Sequence, residues 1–410
     1  MTTPEGRRVV IIGGGASGLM AAGVAAGRGA AVTVLERNRE VGRKLHISGK
    51  GRCNITNDTD IPGLLKQIPG NPHFLRPAFH RFMPREVMAF FASRGVPVKT
   101  ERGGRVFPES DDADDIVRAL SRFCHAAGAR LRTGVTARHL LVAEGRVVGV
   151  EADAGRYDAD AVILAAGGAS YPGTGSKGDG YRMAAEVGHT VVPIRPSLVP
   201  IETVEMWPRA AQGLSLRNVR LTARSPEGTV RYTDLGEMLF THYGVSGPLA
   251  LSASRHVGAL PGSTLVMDLK PGLDDEALDA RVRRDFAEQS RKQFSNALGD
   301  LLPKTLIPII ISLSGIPGDL PVHQITRAQR RALTHLLKHL TVTVKRARSF
   351  AEAITTAGGV STREIDARTM QSKRIRGLYF TGEVIDVDGY TGGYNLQIAW
   401  STGHLAGEHV

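Results

Sequence analysis

The chain has 410 residues, 42% of them hydrophobic, and its 52 lysines and arginines outnumber 40 acidic residues, for a formal net charge of +12. This length and hydrophobic content indicate a globular protein of more than one domain and exclude a disordered chain. The two cysteines, Cys53 and Cys124, exclude a disulfide framework and a CxxC redox pair. The first apolar run, Val9–Ile12, is too short for a signal or membrane segment. We therefore expect a cytoplasmic protein without membrane insertion.

The positive charge does not form a block. Basic residues are scattered as single arginines among alanines and glycines, which favours drift of composition over selection for a polyanionic partner. The alternative explanations of the positive charge are attraction of an anionic cofactor and, less favoured, attraction of RNA. The sequence contains no RNA-binding motif and no interleaving of aromatic and basic residues, which argues against nucleic acid as a partner.

The first elements in chain order form one βαβ unit. The pattern predicts a buried strand at Arg8–Ile12, a helix of small residues at Ser17–Arg28 and a second strand at Ala31–Glu36. Between the first strand and the helix lies GGGASG, residues 13–18, which matches the GxGxxG pattern of dinucleotide-binding folds. A glycine-rich structural turn is the alternative interpretation.

Each glycine of this turn has an expected role. Gly13 permits the tight turn, Gly15 lets the backbone approach a pyrophosphate, and Gly18 allows close packing of helix on strand. The helix N-terminus offers N–H groups and positive potential to the phosphates. Glu36, at the end of the second strand, can accept both ribose hydroxyls and would repel a 2′-phosphate. Together these features predict dinucleotide binding.

The α/β pattern continues downstream. We expect a hairpin within Val96–Phe107, a helix over residues 113–123 and strands at Ala129–Val135 and Ala161–Ala165. This alternation of strands and helices predicts an α/β domain.

From about Pro193 the sequence predicts an inserted antiparallel β domain. Short β-like segments alternate with turn signals, and two helical patterns follow them. The strands are expected at residues 217–224, 229–233 and 264–269, and the helices at Asp274–Leu302 and Thr326–Leu340.

A buried-strand pattern returns at Gly377–Phe380, so the chain is expected to re-enter the first domain. The predicted domains are residues 1–192 and 351–410 for the dinucleotide-binding domain and residues 193–350 for the insertion.

Two further motifs favour FAD over NAD. Residues 158–168 resemble the second, strand-ending motif of FAD-binding proteins of the glutathione reductase type. Residues 377–383 resemble their later strand followed by glycine and an acid, in which the acid binds the ribityl or pyrophosphate region. Three motifs in the expected order are much harder to obtain by chance than one.

The segment after Glu383 carries a glycine pair, Gly392 and Gly393, at the start of a helical pattern. Backbone N–H groups at such a helix start can stabilise negative charge on a reduced flavin. An ordinary glycine-rich connection into a surface helix is the alternative.

Residues 42–57 form a loop rich in basic, small and amide side chains, suited to lie along the pyrophosphate and the flavin ring. Cys53 in this loop is interpreted as structural because it has no resolving thiol nearby in sequence. The residues expected to contact FAD are Gly13, Gly15, Ala16, Ser17, Gly18, Glu36, Arg37, Arg43, Lys44, Ser48, Gly49, Gly51, Arg52, Cys53, Asn54, Val135, Ala166, Gly167, Gly382, Glu383, Gly392, Gly393, Tyr394, Asn395 and Leu396. No metal site is expected.

These motifs together resemble one family, the BaiN-like and aminoacetone-oxidase-like flavoproteins described as NAD(P)/FAD-dependent oxidoreductases. The matching stretches cover nearly the whole chain and are GGGASG at 13–18, GRKLHISGKGRCNITN at 42–57, GRVFPES at 104–110, AAGGASYPGTGSKGDGY at 165–181, GEMLFTHYGVSGP at 236–248 and residues 356–400. The resemblance implies a Rossmann-type, glutathione-reductase-like FAD domain interrupted by an antiparallel β-barrel-like domain with a small helical cap, at about residues 272–342. The resemblance implies either enone reduction or amine oxidation, because members of the family are associated with both activities.

Three side chains are candidates for proton transfer near the flavin: Tyr171, His242 and Tyr243. They stand in polar motifs that do not fit core strands, and His or Tyr can exchange protons at neutral pH. Hydrogen-bonded scaffold residues are the alternative interpretation for each.

The leading functional hypothesis is an FAD-dependent oxidoreductase acting on a small molecule. Its flavin would be reduced by NAD(P)H, a transient co-substrate, and reoxidised by an enone, a quinone or dioxygen. An amine oxidase that produces hydrogen peroxide and an RNA-associated flavoprotein are the alternatives. The sequence leaves open the oligomeric state and the choice between NADH and NADPH.

Overall fold

The structure, a computed structural model, describes residues 6–410. It contains two compact units. The FAD unit comprises the described residues up to Pro196 together with Ala353–Val410, and the barrel unit comprises Ser197–Glu352. The FAD unit is therefore discontinuous in sequence.

In chain order the strands are β1 (Arg8–Ile12), β2 (Ala31–Glu36), β3 (Thr56–Asn57), β4 (Val98–Glu101), β5 (Arg105–Pro108), β6 (Arg130–Thr133), β7 (Ala137–Ala143), β8 (Arg146–Ala152), β9 (Gly155–Asp158), β10 (Ala161–Leu164), β11 (Val191–Ser197), β12 (Ile201–Thr203), β13 (Ser215–Arg224), β14 (Val230–Thr241), β15 (Gly244–Ser246), β16 (Thr264–Asp268), β17 (Leu340–Ala347), β18 (Thr355–Val360) and β19 (Leu378–Phe380). The α-helices are α1 (Ala16–Gly27), α2 (Arg43–Ile47), α3 (Ile61–Lys66), α4 (Arg76–Arg81), α5 (Pro84–Ala92), α6 (Ala113–Ala126), α7 (Asp179–Glu186), α8 (Trp207–Ala210), α9 (Gly247–Val257), α10 (Asp275–Glu288), α11 (Phe294–Ala297), α12 (Ile307–Ser314), α13 (Arg327–Lys338) and α14 (Tyr394–His409).

A five-stranded parallel sheet forms the centre of the FAD unit, in the order β19-β10-β1-β2-β6. Every residue of β10 is buried, as are Val9–Ile12 of β1, which explains their continuous apolar sequences. Parallel strands covered on both faces need such sequences. The Rossmann-type arrangement predicted from the first βαβ unit is confirmed.

The helices α1 and α14 pack against each other beside this sheet. Their contact depends on Gly403, where a Cβ would lie 2.3 Å from the carbonyl oxygen of Ser17. A side chain at this position would force the two helices apart, so the C-terminal segment belongs to the same core as the N-terminal motif.

Three smaller sheets surround the central one, β3-β5-β4, β7-β8-β9 and the pair β11-β18. The predicted hairpin within Val96–Phe107 corresponds to β4 and β5. The β7-β8-β9 meander was not predicted, and the buried residues of β7, Ala137 and Leu140, are three apart instead of alternating as in a typical half-exposed strand.

The barrel unit contains a closed antiparallel barrel in the order β12-β15-β14-β13-β16-β17. The helices α10–α13 lie in sequence between β16 and β17 and share one hydrophobic core with the barrel. Leu333 and Leu337 of α13 are fully buried in this core. The predicted antiparallel barrel is confirmed.

The predicted helix Asp274–Leu302 is not continuous. It ends at Glu288, and α11 begins only at Phe294. The N–H of Phe294 donates to the carbonyl of Leu320, and the Phe294 ring is fully buried. A straight helix would not make this contact with the 320 segment, so the tertiary pairing overrides local helical preference. No helix among residues 6–410 combines the length and apolar character needed to cross a membrane.

Candidate active site

A cavity opens in the FAD unit where β1, β2 and β10 end. The carboxyl edge of a parallel sheet is where open α/β folds bind their ligands. The residues that line the cavity are Ile12, Gly13, Gly14, Gly15, Ala16, Ser17, Leu35, Glu36, Arg37, Asn38, Gly42, Arg43, Lys44, Leu45, Ser48, Val135, Ala137, Ala165, Ala166, Gly167, Thr174, Gly175, Ser176, Asp179, Met183, Ile354, Thr355, Gly382, Glu383, Val387, Asn395, Leu396, Ile398 and Ala399.

The three glycines of the first turn differ in their surroundings. Gly13 has φ +110°, and a Cβ there would lie 2.4 Å from the carbonyl oxygen of Ala165. At Gly18 a Cβ would lie 1.9 Å from the carbonyl oxygen of Gly13, whereas at Gly15 it would meet nothing within 4 Å. Gly13 and Gly18 thus permit close backbone packing, and Gly15 leaves the cavity open.

The N-terminus of α1 has no side-chain cap, and its cap residue is Gly15. The first N–H groups of a helix have no partner within the helix, so they are directed to a ligand or to solvent. Because Gly15, Ala16 and Ser17 line the cavity, this end of α1 suits a pyrophosphate.

Glu36 is buried, with 8% of its surface exposed, at the end of β2. Its carboxylate accepts hydrogen bonds from the backbone N–H of Gly14 at 2.8 Å and from the backbone N–H of Asn38 at 2.8 Å. The Asn38 amide donates to it as well, at 2.7 Å. A carboxylate has about four lone-pair directions, so an oriented acceptor remains for ribose hydroxyls.

Lys44 and Glu383 form an ion pair inside the cavity. The Lys44 ammonium lies 2.7 Å from Oε2 of Glu383 and donates at 2.6 Å to the hydroxyl of Ser170. The other carboxylate oxygen accepts from the Ser170 hydroxyl at 2.8 Å and from the backbone N–H of Thr356 at 2.8 Å. Burial by itself would raise the pKa of Glu383, but Lys44 and these donors outweigh it and hold the pKa below its usual range.

The N-terminus of α14 closes another side of the cavity through Asn395 and Leu396. Its cap residue is Gly393, with φ +99°, and a Cβ there would lie 2.3 Å from the carbonyl oxygen of Thr56. The side chain of Asn395 is held by Gly389, accepting from its N–H at 2.8 Å and donating to its carbonyl at 2.7 Å.

Most of the predicted FAD contacts line this cavity, but a second group does not. The predicted residues outside the lining are Gly18, Gly49, Gly51, Arg52, Cys53, Asn54, Gly392, Gly393 and Tyr394. Gly393 and Gly18 instead permit backbone contacts within the unit. The lining residues that were not among the predicted contacts are Ile12, Gly14, Leu35, Asn38, Gly42, Leu45, Ala137, Ala165, Thr174, Gly175, Ser176, Asp179, Met183, Ile354, Thr355, Val387, Ile398 and Ala399.

Arg52 belongs to a surface network. Its guanidinium lies 2.5 Å from Glu101 and 2.7 Å from Asp111, and it stacks 4.0 Å above the ring of Phe107. These partners hold the segment of residues 48–54 against the β4–β5 hairpin. In the same segment Oδ1 of Asn54 is buried without a hydrogen-bond partner among residues 6–410.

Cys53 is fully buried with φ +56°, and burial raises the pKa of its thiol to about 12, opposed by the nearby Ser48. Such a thiol is protonated at neutral pH and unreactive. We therefore expect Cys53→Ser to keep turnover within about threefold of the unsubstituted enzyme, because a protonated thiol and a hydroxyl offer similar hydrogen bonding. Steady-state kinetics at matched flavin content measure this. Loss of turnover with the flavin still bound would assign the thiol a role in the reaction.

The three candidate proton-transfer residues lie outside the cavity lining. Tyr171 is half-buried in the FAD unit with φ +50°, ahead of a short 3₁₀ turn. In the barrel unit His242 and Tyr243 form the β14–β15 turn, with ring centroids 4.7 Å apart. The guanidinium of Arg348 stacks 4.8 Å from the centre of the Tyr243 ring. Burial and, to a smaller extent, the negative charge of Glu352 raise the pKa of the Tyr243 phenol. Their catalytic roles stay predictions.

The residues of the cavity fit FAD. At Gly15 a Cβ would meet no protein atom within 4 Å, so the backbone at the start of α1 borders open cavity that a ligand can enter. The uncapped end of α1 matches a pyrophosphate and Glu36 a ribose.

The family comparison agrees with this geometry. The family described as HI0933-like protein Rossmann domain matches residues 7–409. The chain belongs to the HI0933-like family. As an HI0933-like protein it is an FAD-dependent oxidoreductase.

Relatives of known name cover the same length. A 3-dehydro-bile acid delta(4,6)-reductase of Clostridium scindens is 37% identical over 98% of this chain and 98% of its own. A ribosomal RNA dihydrouridine synthase of Haemophilus influenzae is 33% identical over 96% of each chain. That of Escherichia coli is also 33% identical, over 96% of this chain and 95% of its own.

Solved structures show the same fold at low identity. A 3-ketosteroid delta1-dehydrogenase from Sterolibacterium denitrificans gives a TM-score of 0.51 at 13% identity, covering 98% of each chain. A quinol-fumarate reductase gives a TM-score of 0.51 at 16% identity, covering 98% of this chain and 71% of its own.

Proposed function

We propose that this HI0933-like protein reduces a carbon–carbon double bond conjugated to a carbonyl group, with electrons from NADH or NADPH. The balanced reaction consumes the enone, one NAD(P)H and one proton and produces the saturated ketone and NAD(P)+. The observation that carries the proposal is that, among residues 6–410, the GxGxxG turn at residues 13–18 is the one that joins a strand of the five-stranded parallel sheet directly to a helix, which supports a single dinucleotide site. In the proposal FAD occupies that binding site, so the nicotinamide cofactor binds only transiently.

Neither cysteine suits thiol-based electron transfer. Cys53 and Cys124 are both buried, and burial raises the pKa of each thiol to about 12. FAD, when bound, supplies the two-electron chemistry that these side chains lack. In the proposal a diffusible donor, NAD(P)H, supplies the electrons.

The cavity residues then have separate roles. Glu36 accepts hydrogen bonds from ribose hydroxyls, and the N–H groups at the start of α1 bind phosphate oxygens. The Lys44–Glu383 pair fixes the wall of the cavity near Thr355, while the N-terminus of α14 offers positive potential at Asn395.

An enone substrate is supported by the relative named a 3-dehydro-bile acid delta(4,6)-reductase, which shares 37% identity over 98% of both chains. A 3-oxo steroid with a 4,6-diene places the reducible double bonds in conjugation with its carbonyl group. We therefore expect activity on steroid-sized enones of this type.

A second candidate is reduction of a uracil ring in ribosomal RNA, supported by the two dihydrouridine synthase relatives and the net charge of +12. The 5,6 double bond of uracil is also conjugated to a carbonyl, so the same chemistry applies. A basic surface attracts the phosphate backbone. The low-salt retention of rRNA on the purified protein tests this candidate first.

Anaerobic titration separates these possibilities. NADH or NADPH is expected to bleach the flavin absorbance, and a steroid 4-en-3-one added next is expected to restore it and yield the saturated ketone. Restoration by uridine-containing rRNA fragments, with dihydrouridine detected by mass spectrometry, would support the second candidate. Bleaching by an amine with no response to either nucleotide would instead indicate an amine oxidase.

Transient nicotinamide binding predicts ping-pong kinetics. Because both substrates use the same flavin in turn, double-reciprocal plots at several acceptor concentrations should be parallel. Stopped-flow reduction in the absence of acceptor should be as fast as turnover. Intersecting lines, or a ternary complex trapped with a dead-end nicotinamide analogue and the acceptor, would reveal a separate nicotinamide site.

A further inference from the structure

A second cavity lies within the barrel unit. Its walls come from β13, from the residues after β16 and from the segment between α11 and α12. Its lining residues are Leu216, Arg217, Asn218, Val219, Leu269, Lys270, Leu301, Leu302, Pro303 and Leu306. Most of the lining is aliphatic, and the basic side chains in it are those of Arg217 and Lys270.

A β-bulge shapes one wall. Leu216 pairs with Met238 and Val219 pairs with Gly236, so two residues of β13 stand opposite one residue of β14. The two residues of β13 that stand opposite Glu237 are Arg217 and Asn218, and both are in the cavity lining. Bulges redirect side chains and often lie beside binding sites.

Lys270 is half-buried, and its ammonium group makes no hydrogen bond or ion pair within residues 6–410. Its backbone is fixed, since its N–H donates to Asp268 at 2.9 Å and its carbonyl accepts from Lys338 at 3.2 Å. The neighbouring carboxylate of Asp285 is engaged by Arg281, at 2.7 Å and 2.8 Å. Burial lowers the pKa of Lys270, as does Arg281, while Asp285 opposes the change.

An unpaired ammonium beside a leucine-lined cavity calls for an anion with an apolar body, since a half-buried charge gains from an opposite charge. We propose that the barrel unit binds an aliphatic carboxylate, with its alkyl chain against Leu301, Leu302 and Leu306 and its carboxylate at Lys270. The exposed Arg217 adds positive charge at the bulge. This site is independent of the proposed reductase activity.

Isothermal titration of the flavin-loaded protein with decanoate, decanol and decyltrimethylammonium tests the site. Decanoate is expected to bind about tenfold more tightly than decanol, because a hydrogen bond to a charged group is stronger than a neutral one. The cationic analogue is expected not to bind. Equal affinities for decanoate and decanol, or no binding of decanoate, would overturn the proposal.

Variants assign the effect to Lys270. Lys270→Gln is expected to remove the preference for decanoate over decanol, and Lys270→Arg to keep it. Lys345→Gln, at an exposed position on β17, is the matched control and should bind as the unsubstituted protein does. If Lys270→Gln does not fold, Lys270→Arg and Arg217→Gln still test the site. Loss of the preference for decanoate in Lys270→Arg would contradict the role assigned to the charge at residue 270. Unchanged decanoate affinity in Arg217→Gln would contradict the role assigned to Arg217. The flavin spectrum should be the same in every variant.

Discussion

Replacement of Gly15 by valine is expected to yield a folded protein that carries no flavin. A Cβ at Gly15 meets no atom within 4 Å, and Gly15 lines the cavity, so the valine side chain enters empty space. It would occupy the position from which the backbone approaches the pyrophosphate. The absorbance ratio at 450 and 280 nm of the purified protein measures the loss, and circular dichroism measures the retained fold.

Two controls make this result specific. Gly27→Val, at an exposed residue with no atom within 4 Å of its Cβ and outside the cavity, should keep its flavin. Gly13→Val should instead destabilise the protein by about 4 kcal/mol or more, because its Cβ would lie 2.4 Å from a backbone oxygen at φ +110°. A yellow Gly15→Val protein with full FAD occupancy would contradict the position assigned to the cofactor.

Replacement of Lys44 by methionine is expected to lower the free energy of unfolding by about 2 kcal/mol at neutral pH. Glu383 would lose its cation while staying largely covered, and removing one partner of a buried pair leaves an uncompensated charge. The expected loss of about 2 kcal/mol is smaller than that for a fully buried ion pair, because the side chains of Lys44 and Glu383 are 30% and 20% exposed. Urea unfolding measures it, with Lys99→Met, whose partner Asp111 is 42% exposed, as the control near zero.

The loss should depend on pH. The pKa of Glu383 is lowered in the folded protein, so its stabilising contribution is present above the unfolded pKa of about 4.3 and is lost as the pH falls through the folded value. Lys44→Met removes the attraction that lowers this pKa and leaves the opposing effect of burial. The difference between the two proteins should therefore be full above about pH 6 and shrink toward pH 3. A difference independent of pH would mean that packing, not the ion pair, causes the loss.

The sequence predicts the elements whose own residues determine their structure. The strands Arg8–Ile12 and Ala31–Glu36 begin and end where the apolar pattern places them, because strands buried on both faces need continuous apolar residues. The GxGxxG turn and Glu36 meet at one cavity, because both lie at the carboxyl ends of adjacent parallel strands.

Contacts between distant segments could not be read from local patterns. Ser170, Thr356 and Glu383 meet around Lys44 although they are far apart in the chain. Motifs in the sequence predict that Lys44 and Glu383 both contact FAD, but they contain no signal for the ion pair between these residues or for the hydrogen bonds from Ser170 and Thr356. The glycine pair at 392 and 393 has a structural requirement that the sequence does not reveal, since both residues have positive φ and a Cβ at Gly393 would lie 2.3 Å from the carbonyl oxygen of Thr56. The predicted contacts of this pair with FAD stay predictions.

The strand order of the FAD unit has a consequence for biosynthesis. β10 is entirely buried, and its outer neighbour β19 lies about 200 residues later, after the whole barrel unit. At roughly 5 to 20 residues per second, β10 waits about 10 to 40 seconds as an unpaired apolar edge on the ribosome. Exposed apolar edges recruit other strands. The nascent chain therefore exposes the most apolar strand edge for chaperone binding while the barrel unit is being translated. The flavin-binding site is complete only after β19 and α14 have left the ribosome.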